Sequence, residues 1–325
     1  MKEVGAMKKI FWNDLHSDKM KELILGSLPE GFEVVFPLTR DAEEHKKLIA
    51  DADYVIAGGS DLTKDIILAG KKLKMIQKFG VGLNKIDVDA AKEAGVPVFI
   101  TAGANAACVA EMALGLMISV NRCIPFVDRS VRRGEWLKKE MRTKGYTMDG
   151  KTIGFVGFGN IAKQLHRMLK GFMVTCQYYD IFRMSEEKEK EYNVKYVSLE
   201  ELMKTSDIVT VHAPLTDSTK GMINKDYLAM MDPEAILINT SRGGVVDEQA
   251  LIEALKEGKI RGAGLDTYEN EPLEEGSELR NLDNVVLTCH CAGSTIDNML
   301  PRLEHTYGNI LKFEAGEPID PKDVV

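Results

Sequence analysis

The chain has no apolar run long enough to cross a bilayer. Its longest, Ala106–Val120, is interrupted by Glu111 and falls short of the ~18 residues that a span needs. It reads as a buried helix. Met1–Asn13 carries Lys2, Lys8 and Lys9 with no long apolar run behind them, so a secretory leader, with its h-region of ~7–15 apolar residues, is not expected. Cysteine is sparse. Cys108, Cys123, Cys176, Cys289 and Cys291 are five in number with no framework spacing, which points to a reducing compartment, the cytoplasm by default. Surplus positive charge is also lacking: the formal net charge is −8, which argues against nucleic acid because phosphate binding needs a local excess of Lys and Arg. Lys71-Lys72-Leu73-Lys74 and Arg132-Arg133 read as solvated faces, and no membrane partner is expected. There is no short-period repeat and no low-complexity tract.

What is present is ordinary for a globular chain: 325 residues, 44% hydrophobic and 28% charged, a length suggesting about two domains. From Ile10-Phe11-Trp12 onward, short apolar runs alternate with helical patterns. Val34–Pro37, Tyr54–Ala57, Met75–Gln77 and Val96–Ile100 read as strands, with helices such as Ala42–Ala50 and Asp87–Ala94 between them. Helices follow at about Asn105–Asn121 and Pro125–Gly134. A second series then places strands at Ile153–Val156, Val174–Tyr179, Asp207–Val211, Ile236–Asn239, Gly262–Leu265 and Val285–Leu287, before a last helix over Thr295–Glu314. Strand–helix alternation of this kind indicates α/β architecture, with parallel sheets covered on both faces.

The second series opens with a glycine motif. Ile153–Val156 runs into Gly157-Phe158-Gly159-Asn160-Ile161-Ala162, a G-x-G-x-x-A that starts a helix with Ile161, Leu165, Met168 and Leu169 on one face. Gly157 permits the tight turn, Gly159 lets the backbone approach a pyrophosphate, and Ala162 lets the helix pack close to the sheet. The helix N-terminus supplies N–H groups and a dipole for phosphates. The next strand ends at Asp180, 21 residues beyond Gly159. A carboxylate there accepts hydrogen bonds from the adenosine ribose and repels a 2′-phosphate, so the motif predicts NAD over NADP. Arg183 nearby reads as a surface residue.

Three more motifs lie at strand ends. They are Ile238-Asn239-Thr240-Ser241-Arg242-Gly243-Gly244, Gly264-Leu265-Asp266-Thr267-Tyr268-Glu269-Asn270-Glu271-Pro272 and Leu287-Thr288-Cys289-His290-Cys291-Ala292-Gly293-Ser294. With His212-Ala213-Pro214, they resemble the D-isomer-specific 2-hydroxyacid dehydrogenase family over nearly the whole chain.

The resemblance implies roles. Arg242 would bind the substrate carboxylate and carbonyl oxygen, a task suited to a permanently charged, forked guanidinium. His290 would be the general acid/base, and an imidazole with its ordinary pKa of ~6.5 suits proton exchange near neutrality. Glu271, the acid before proline, would hold that histidine protonated, with Glu269 and Glu274 as competing acids that alignment to the motif sets aside. The cofactor would be met by Gly157, Gly159, Asn160, Ile161, Asp180, His212, Ala213, Pro214, Thr240, Ser241, Arg242, Asp266, His290, Ala292 and Gly293, with Asp266 on the nicotinamide carboxamide. Val81 and Gly82, in Phe79-Gly80-Val81-Gly82, would join Arg242 and His290 in binding substrate, backbone N–H groups meeting its carboxylate.

The sequence departs from the family at Cys289, where most members carry proline, at Cys291, where many carry an aliphatic residue, and at Ala102, which also replaces a proline. A closed zinc site needs about four ligands, and Cys289, His290 and Cys291 have no partner cluster, so no metal is expected. Asn105 reads as the cap of the long helix. His16, His45, His166 and His305 carry no motif and read as surface residues.

Family topology implies a substrate domain of residues 1–102 and 295–325 with an NAD-binding domain, 103–294, inserted between them. It also implies a reaction cleft that excludes water on closure, and a homodimer. Relatives that act on phosphoglycerate carry an arginine after the strand matching Tyr54–Ala57, where this chain has Gly58-Gly59-Ser60. The expected substrate is therefore a small unphosphorylated 2-oxo or 2-hydroxy acid, although Lys78 offers a partial substitute for that arginine. The alternatives are an NAD-sensing corepressor-like binding protein, phosphoglycerate dehydrogenase, or oxidation of formate or phosphite. Formate oxidation generally pairs its histidine with glutamine, where this chain has Glu271.

Overall fold

Tyr54-Val55-Ile56-Ala57 and Ile236-Leu237-Ile238-Asn239 are buried at every position. Strands without alternation are those of parallel sheets covered on both faces. A computed structural model describes residues 7–325; Met1–Ala6, with Lys2 of the basic N-terminal stretch and the start of the expected substrate domain, lie outside the described residues. The chain forms two compact units, one from the segment up to Asn105 together with Thr295–Val325, the other from Ala106–Ser294.

The first unit runs β1 (Lys8–Trp12), α1 (Asp18–Gly26), β2 (Phe32–Val35), α2 (Ala42–Ile49), β3 (Tyr54–Ala57), α3 (Lys64–Ala69), β4 (Met75–Lys78), α4 (Val88–Glu93) and β5 (Val98–Phe99). Its five strands pair in parallel in the order β2-β1-β3-β4-β5. The order reverses between β1 and β3, the place where open α/β sheets bind ligands at the strands' carboxyl ends.

The second unit runs α5 (Ala106–Asn121), α6 (Ile124–Arg132), β6 (Thr152–Val156), α7 (Asn160–Leu169), β7 (Thr175–Tyr179), α8 (Glu186–Tyr192), β8 (Lys195–Tyr196), α9 (Leu199–Thr205), β9 (Ile208–Val211), α10 (Lys225–Leu228), β10 (Ile236–Asn239), α11 (Glu248–Lys256), β11 (Gly262–Leu265) and β12 (Val285–Leu287). The seven strands are parallel in the order β12-β11-β10-β9-β6-β7-β8, with the reversal between β9 and β6. Both sheets are therefore doubly wound, as expected. The chain then returns to the first unit as α12 (Met299–Ala315), whose Leu303, Tyr307 and Ile310 pack with Ile10, Trp12 and Tyr54.

Helix starts follow local chemistry. Ser198 Oγ accepts the Glu201 N–H at 3.1 Å, and Asp247 Oδ1 accepts that of Ala250 at 3.0 Å, each satisfying an orphan donor of the first turn. No single helix among the described residues is long and apolar enough to cross a membrane.

Several boundaries differ from the sequence expectation. β2 begins at Phe32 and stops at Val35, because its register starts at Lys8↔Phe32 and Pro37 has no N–H for a ladder. β5 shrinks to Val98–Phe99: the Val96 N–H closes α4 on Ala91, and the Ile100 N–H bonds the Asp323 carbonyl. The last helix begins at Met299 rather than Thr295. Two histidines expected at the surface are buried: His45 packs edge-on against Phe11, and His166 lies among Phe155, Phe158 and Tyr192. His166 shares the buried face of α7 with Ala162, Leu165 and Leu169, while Ile161 and Met168 are only partly covered. Burial lowers the His166 pKa, with help from Lys170, which favours a neutral ring.

Candidate active site

The glycine turn follows β6 at the strand-order reversal. Gly157 sits at φ +89°, and a Cβ there would lie 2.9 Å from the Ala213 nitrogen and 3.0 Å from the His212 carbonyl carbon. Only glycine fits that conformation against that backbone. Gly159 is different: nothing lies within 4 Å of where its Cβ would be, and no side chain caps the first turn of α7. Open space in front of uncapped N–H groups suits an anion.

Asp180, just past β7, accepts the Phe158 N–H on Oδ2 at 2.8 Å and the Phe182 N–H on Oδ1 at 3.0 Å. It thus braces the glycine turn as well as presenting a carboxylate. Arg183 is committed elsewhere, pairing with Glu189 through Nε at 2.9 Å and Nη2 at 3.0 Å and lying over the Tyr196 ring.

Past β9, His212 turns Nε2 to Thr210 Oγ1 at 2.9 Å, and its buried Nδ1 has no partner. Burial pushes its pKa down to about 3, so the ring is neutral at physiological pH. Ala213 is buried and Pro214 exposed. The hydroxyl of Thr240, after β10, is likewise buried and unpartnered. Orphaned polar atoms of this kind invite a ligand. Together with the open Gly159 turn and Asp180, they fit a dinucleotide.

Arg242 stands on the turn that leaves β10. Asn239 shapes that turn, its Oδ1 accepting the Ser241 N–H and hydroxyl while its Nδ2 donates to the Arg242 carbonyl. Gly243 lets the turn touch the neighbouring segment: a Cβ there would fall 1.9 Å from the Tyr268 carbonyl carbon. This contact brings Arg242 within electrostatic reach of Glu271. Burial lowers the Arg242 pKa and Glu271 opposes the shift, but a guanidinium remains charged.

Glu271 faces His290, with Oε2 2.7 Å from Nδ1, while Oε1 accepts the Tyr268 N–H at 3.1 Å. Desolvation pushes the Glu271 carboxyl up, but His290, the Tyr268 N–H and Arg242 together outweigh it and hold the group below the usual carboxylate range. His290 is held from behind by Asp266. The Asp266 carbonyl accepts the His290 N–H at 2.8 Å. The fully buried Asp266 carboxylate takes the Thr288 hydroxyl at 2.6 Å, the Cys291 N–H at 3.0 Å and the Ala292 N–H at 2.9 Å. Tyr268 adds a hydroxyl bond to the Thr288 carbonyl at 2.6 Å. One face of His290 is thereby fixed to Glu271 while its side chain stays 43% exposed, open to a reactant.

In the first unit, Gly80 takes φ +126° between β4 and the exposed Val81. Its N–H donates to Thr101 Oγ1 at 2.7 Å, and Arg302 from α12 donates to the Phe79 carbonyl at 2.5 Å. The backbone around Val81 and Gly82 is thus presented by a braced turn. At the β1/β3 reversal, Asp14 Oδ2 accepts the Gly59 N–H at 2.7 Å, and Lys78 donates to the Gly58 carbonyl at 2.5 Å. No group of three or more acidic, His or Cys side chains suited to a metal occurs among the described residues.

Asn239 and Gly243 stand inside the sequence motif that carries Arg242 but received no role of their own there, and Thr101, Asp14 and Arg302 received none either.

Residues 114–292 match the model of the D-isomer specific 2-hydroxyacid dehydrogenase NAD binding domain. The chain is 42% identical over 260 residues to hydroxypyruvate reductase of Thermotoga maritima, covering 79% of this chain and 83% of that protein. It is also 42% identical to D-3-phosphoglycerate dehydrogenase of Methanocaldococcus jannaschii over 89% of this chain, which spans only 54% of that protein. The solved NAD-dependent formate dehydrogenase of Staphylococcus aureus, in complex with NAD, superposes with a TM-score of 0.85 at 28% identity, over 98% of this chain and 99% of that one. The chain belongs to the D-isomer specific 2-hydroxyacid dehydrogenase family, NAD-dependent oxidoreductases of two parallel-sheet α/β domains.

Proposed function

We propose that the protein interconverts a small unphosphorylated 2-oxo acid and its D-2-hydroxy acid, with His290 as proton donor and acceptor. The observation that carries this is the His290–Glu271 pair, 2.7 Å apart with Arg242 beside it. NAD, when bound, supplies or accepts the hydride. Arg242 binds the carboxylate and polarises the carbonyl oxygen. Glu271 fixes the ring through Nδ1, leaving Nε2 to give a proton to that oxygen in reduction and to take it back in oxidation. The backbone N–H groups of Val81 and Gly82 add to carboxylate binding.

On the cofactor side, Gly157, Gly159, Asn160 and Ile161 cradle the pyrophosphate, and Asp180 takes the ribose. His212, Ala213, Pro214, Thr240, Ser241, Asp266, Ala292 and Gly293 line the nicotinamide half. Residues 1–102 and 295–325 are assigned to substrate, 103–294 to NAD.

The unphosphorylated class rests on the corner after β3, where phosphate-binding relatives place an arginine and this chain has Gly58-Gly59-Ser60 with Asp14 packed against it. A Cβ at Gly58 would lie 2.6 Å from that of Asp14, and Lys78 and Lys85 are turned onto the Gly58 and Gly59 carbonyls. Glyoxylate, hydroxypyruvate, pyruvate and branched 2-oxo acids form the class.

The protein is further proposed to be a cytoplasmic homodimer. The odd, unframed cysteine count supports the compartment. Ile124, Val131 and Trp136 support the dimer, because they leave large apolar side chains exposed on and just after α6. Steady-state turnover of His290→Ala against the unaltered protein tests the proton role.

A further inference from the structure

The assigned chemistry uses His290 and leaves its two neighbours idle. Cys289 is exposed and Cys291 is half-buried, and the two thiols are near enough to act on each other electrostatically. His290, between them, has φ +53°, a left-handed conformation uncommon for a residue with a side chain. The two bonds to Asp266, from the His290 and Cys291 N–H groups, hold it there. A left-handed residue brings its flanking Cα atoms to about 5.5 Å, inside the 4.4–6.8 Å range of disulfides. The other thiols are placed differently. Cys108 and Cys176 are buried, burial pushes Cys176 up to about 11, and Cys123 points at the Lys144 carbonyl.

We propose that Cys289 and Cys291 are a modification site for hydrogen peroxide, closing to a reversible disulfide that displaces His290 from Glu271. The Cys289 thiolate attacks one peroxide oxygen; an S–O bond forms, the O–O bond breaks, and hydroxide leaves and is protonated to water. The product is a sulfenic acid. Cys291 then attacks that sulfur; the S–S bond forms, the S–O bond breaks, and hydroxide leaves with the Cys291 proton as a second water. Two thiols have lost two electrons and two protons, and one peroxide has been reduced to two waters. Burial raises the pKa of the Cys291 thiol, with the nearby Asp266 acting in the same direction, which assigns first attack to exposed Cys289.

The ring that closes contains the N, Cα and C atoms of His290. Meeting the disulfide dihedral of about 85–100° therefore resets the backbone that aims the imidazole. Cytosolic disulfides are usually transient and sensing or catalytic, in keeping with an exposed pair that a thiol reductant reaches.

The effect on turnover rests on the function proposed above; the bridge itself does not. The test is titration of the full-length protein with hydrogen peroxide. Peptide masses across Thr288–Ser294 are read beside NADH oxidation with hydroxypyruvate, before and after dithiothreitol. The expected result is a loss of about 2 Da on that peptide, a parallel fall in turnover of at least about tenfold, and recovery of both with dithiothreitol. Cys289→Ser should show neither change. Oxygen added to Cys289 alone without bridging overturns the proposal, as does full turnover by the bridged protein. The masses decide the bridge whether or not hydroxypyruvate is reduced, so a reduced protein that leaves it untouched counts against hydroxypyruvate as its substrate and not against the disulfide.

Discussion

Nδ1 of His290 and Oε2 of Glu271 stand 2.7 Å apart across 19 residues of chain. Their meeting depends on Asp266, which anchors the His290 turn from the end of β11, and on the Tyr268 N–H, which holds the second Glu271 oxygen. Histidine and acid are thus brought together by the ends of two neighbouring parallel strands, β11 and β12. Replacing Glu271 with Gln keeps the shape and removes the charge. Turnover should fall by about 10² with NADH affinity nearly unchanged, measured by steady-state kinetics and cofactor fluorescence. Unaltered kcat would remove Glu271 from the chemistry. Its lowered carboxyl pKa also sets a stability sign. The ionised Glu271 carboxylate stabilises the fold above the ordinary value of 4.5, and that contribution is lost as pH falls through the lower folded value.

His290→Ala should abolish turnover while cofactor still binds. A change in NADH affinity as large as the change in kcat would mean that His290 holds the cofactor rather than the proton.

The two motif glycines should separate under substitution. Gly159→Ala meets no atom within 4 Å, so its melting temperature should be unchanged while NADH affinity falls. Gly157→Ala is strained at φ +89° and meets backbone at 2.9 Å, so it should lose stability by about 1 kcal/mol or more. Calorimetry with and without NADH reads both. Equal melting losses would contradict the division of labour.

Cofactor choice should depend on two acids. Asp180→Ala removes the ribose acceptor and should narrow the kcat/KM preference for NADH over NADPH by about tenfold or more. Because Arg183 is held by Glu189, adding Glu189→Gln should free it for a 2′-phosphate and narrow the ratio again. An identical ratio in single and double variants would show that Arg183 has no part in it.

His212 gives a pH signature of opposite origin. Its folded pKa is pushed down to about 3 from 6.5, so the unfolded chain takes up the proton first. Its stabilisation is complete above pH 6.5 and declines as pH falls from there towards 3, by at most about 1.4 kcal/mol per pH unit. His16 and His166, also lowered by burial, act in the same direction. Urea unfolding at pH 7 and pH 5 should show a shallower decline for His212→Gln. A decline as steep as that of the parent protein would contradict neutral burial.

The sequence displayed most of the scaffold because parallel strands leave short apolar runs. β3, β10, β11 and β12 lie where those runs predicted, while β2 and β5 moved because Pro37 and the bonds around Val96 and Ile100 decide where a ladder stops. His45 and His166 are buried where their polarity suggests surface, and each keeps helical spacing with a buried neighbour: His45 lies four residues before Ile49 and His166 four after Ala162. The i, i+4 spacing was visible and histidine's polarity obscured it. The strand-end residues of the site were legible as motifs. Their supports were not: the Asn239 bonds, the fit of Gly243 on Tyr268 and the Asp14 corner exist only once distant segments meet.

The most direct test of the central claim is NADH oxidation, followed by absorbance, against glyoxylate, hydroxypyruvate, pyruvate, a branched 2-oxo acid and phosphohydroxypyruvate. Turnover of one or more unphosphorylated acids is expected, with kcat/KM for the phosphorylated one lower. Preference for the phosphorylated acid, or tight NADH binding with no turnover of any, would contradict it.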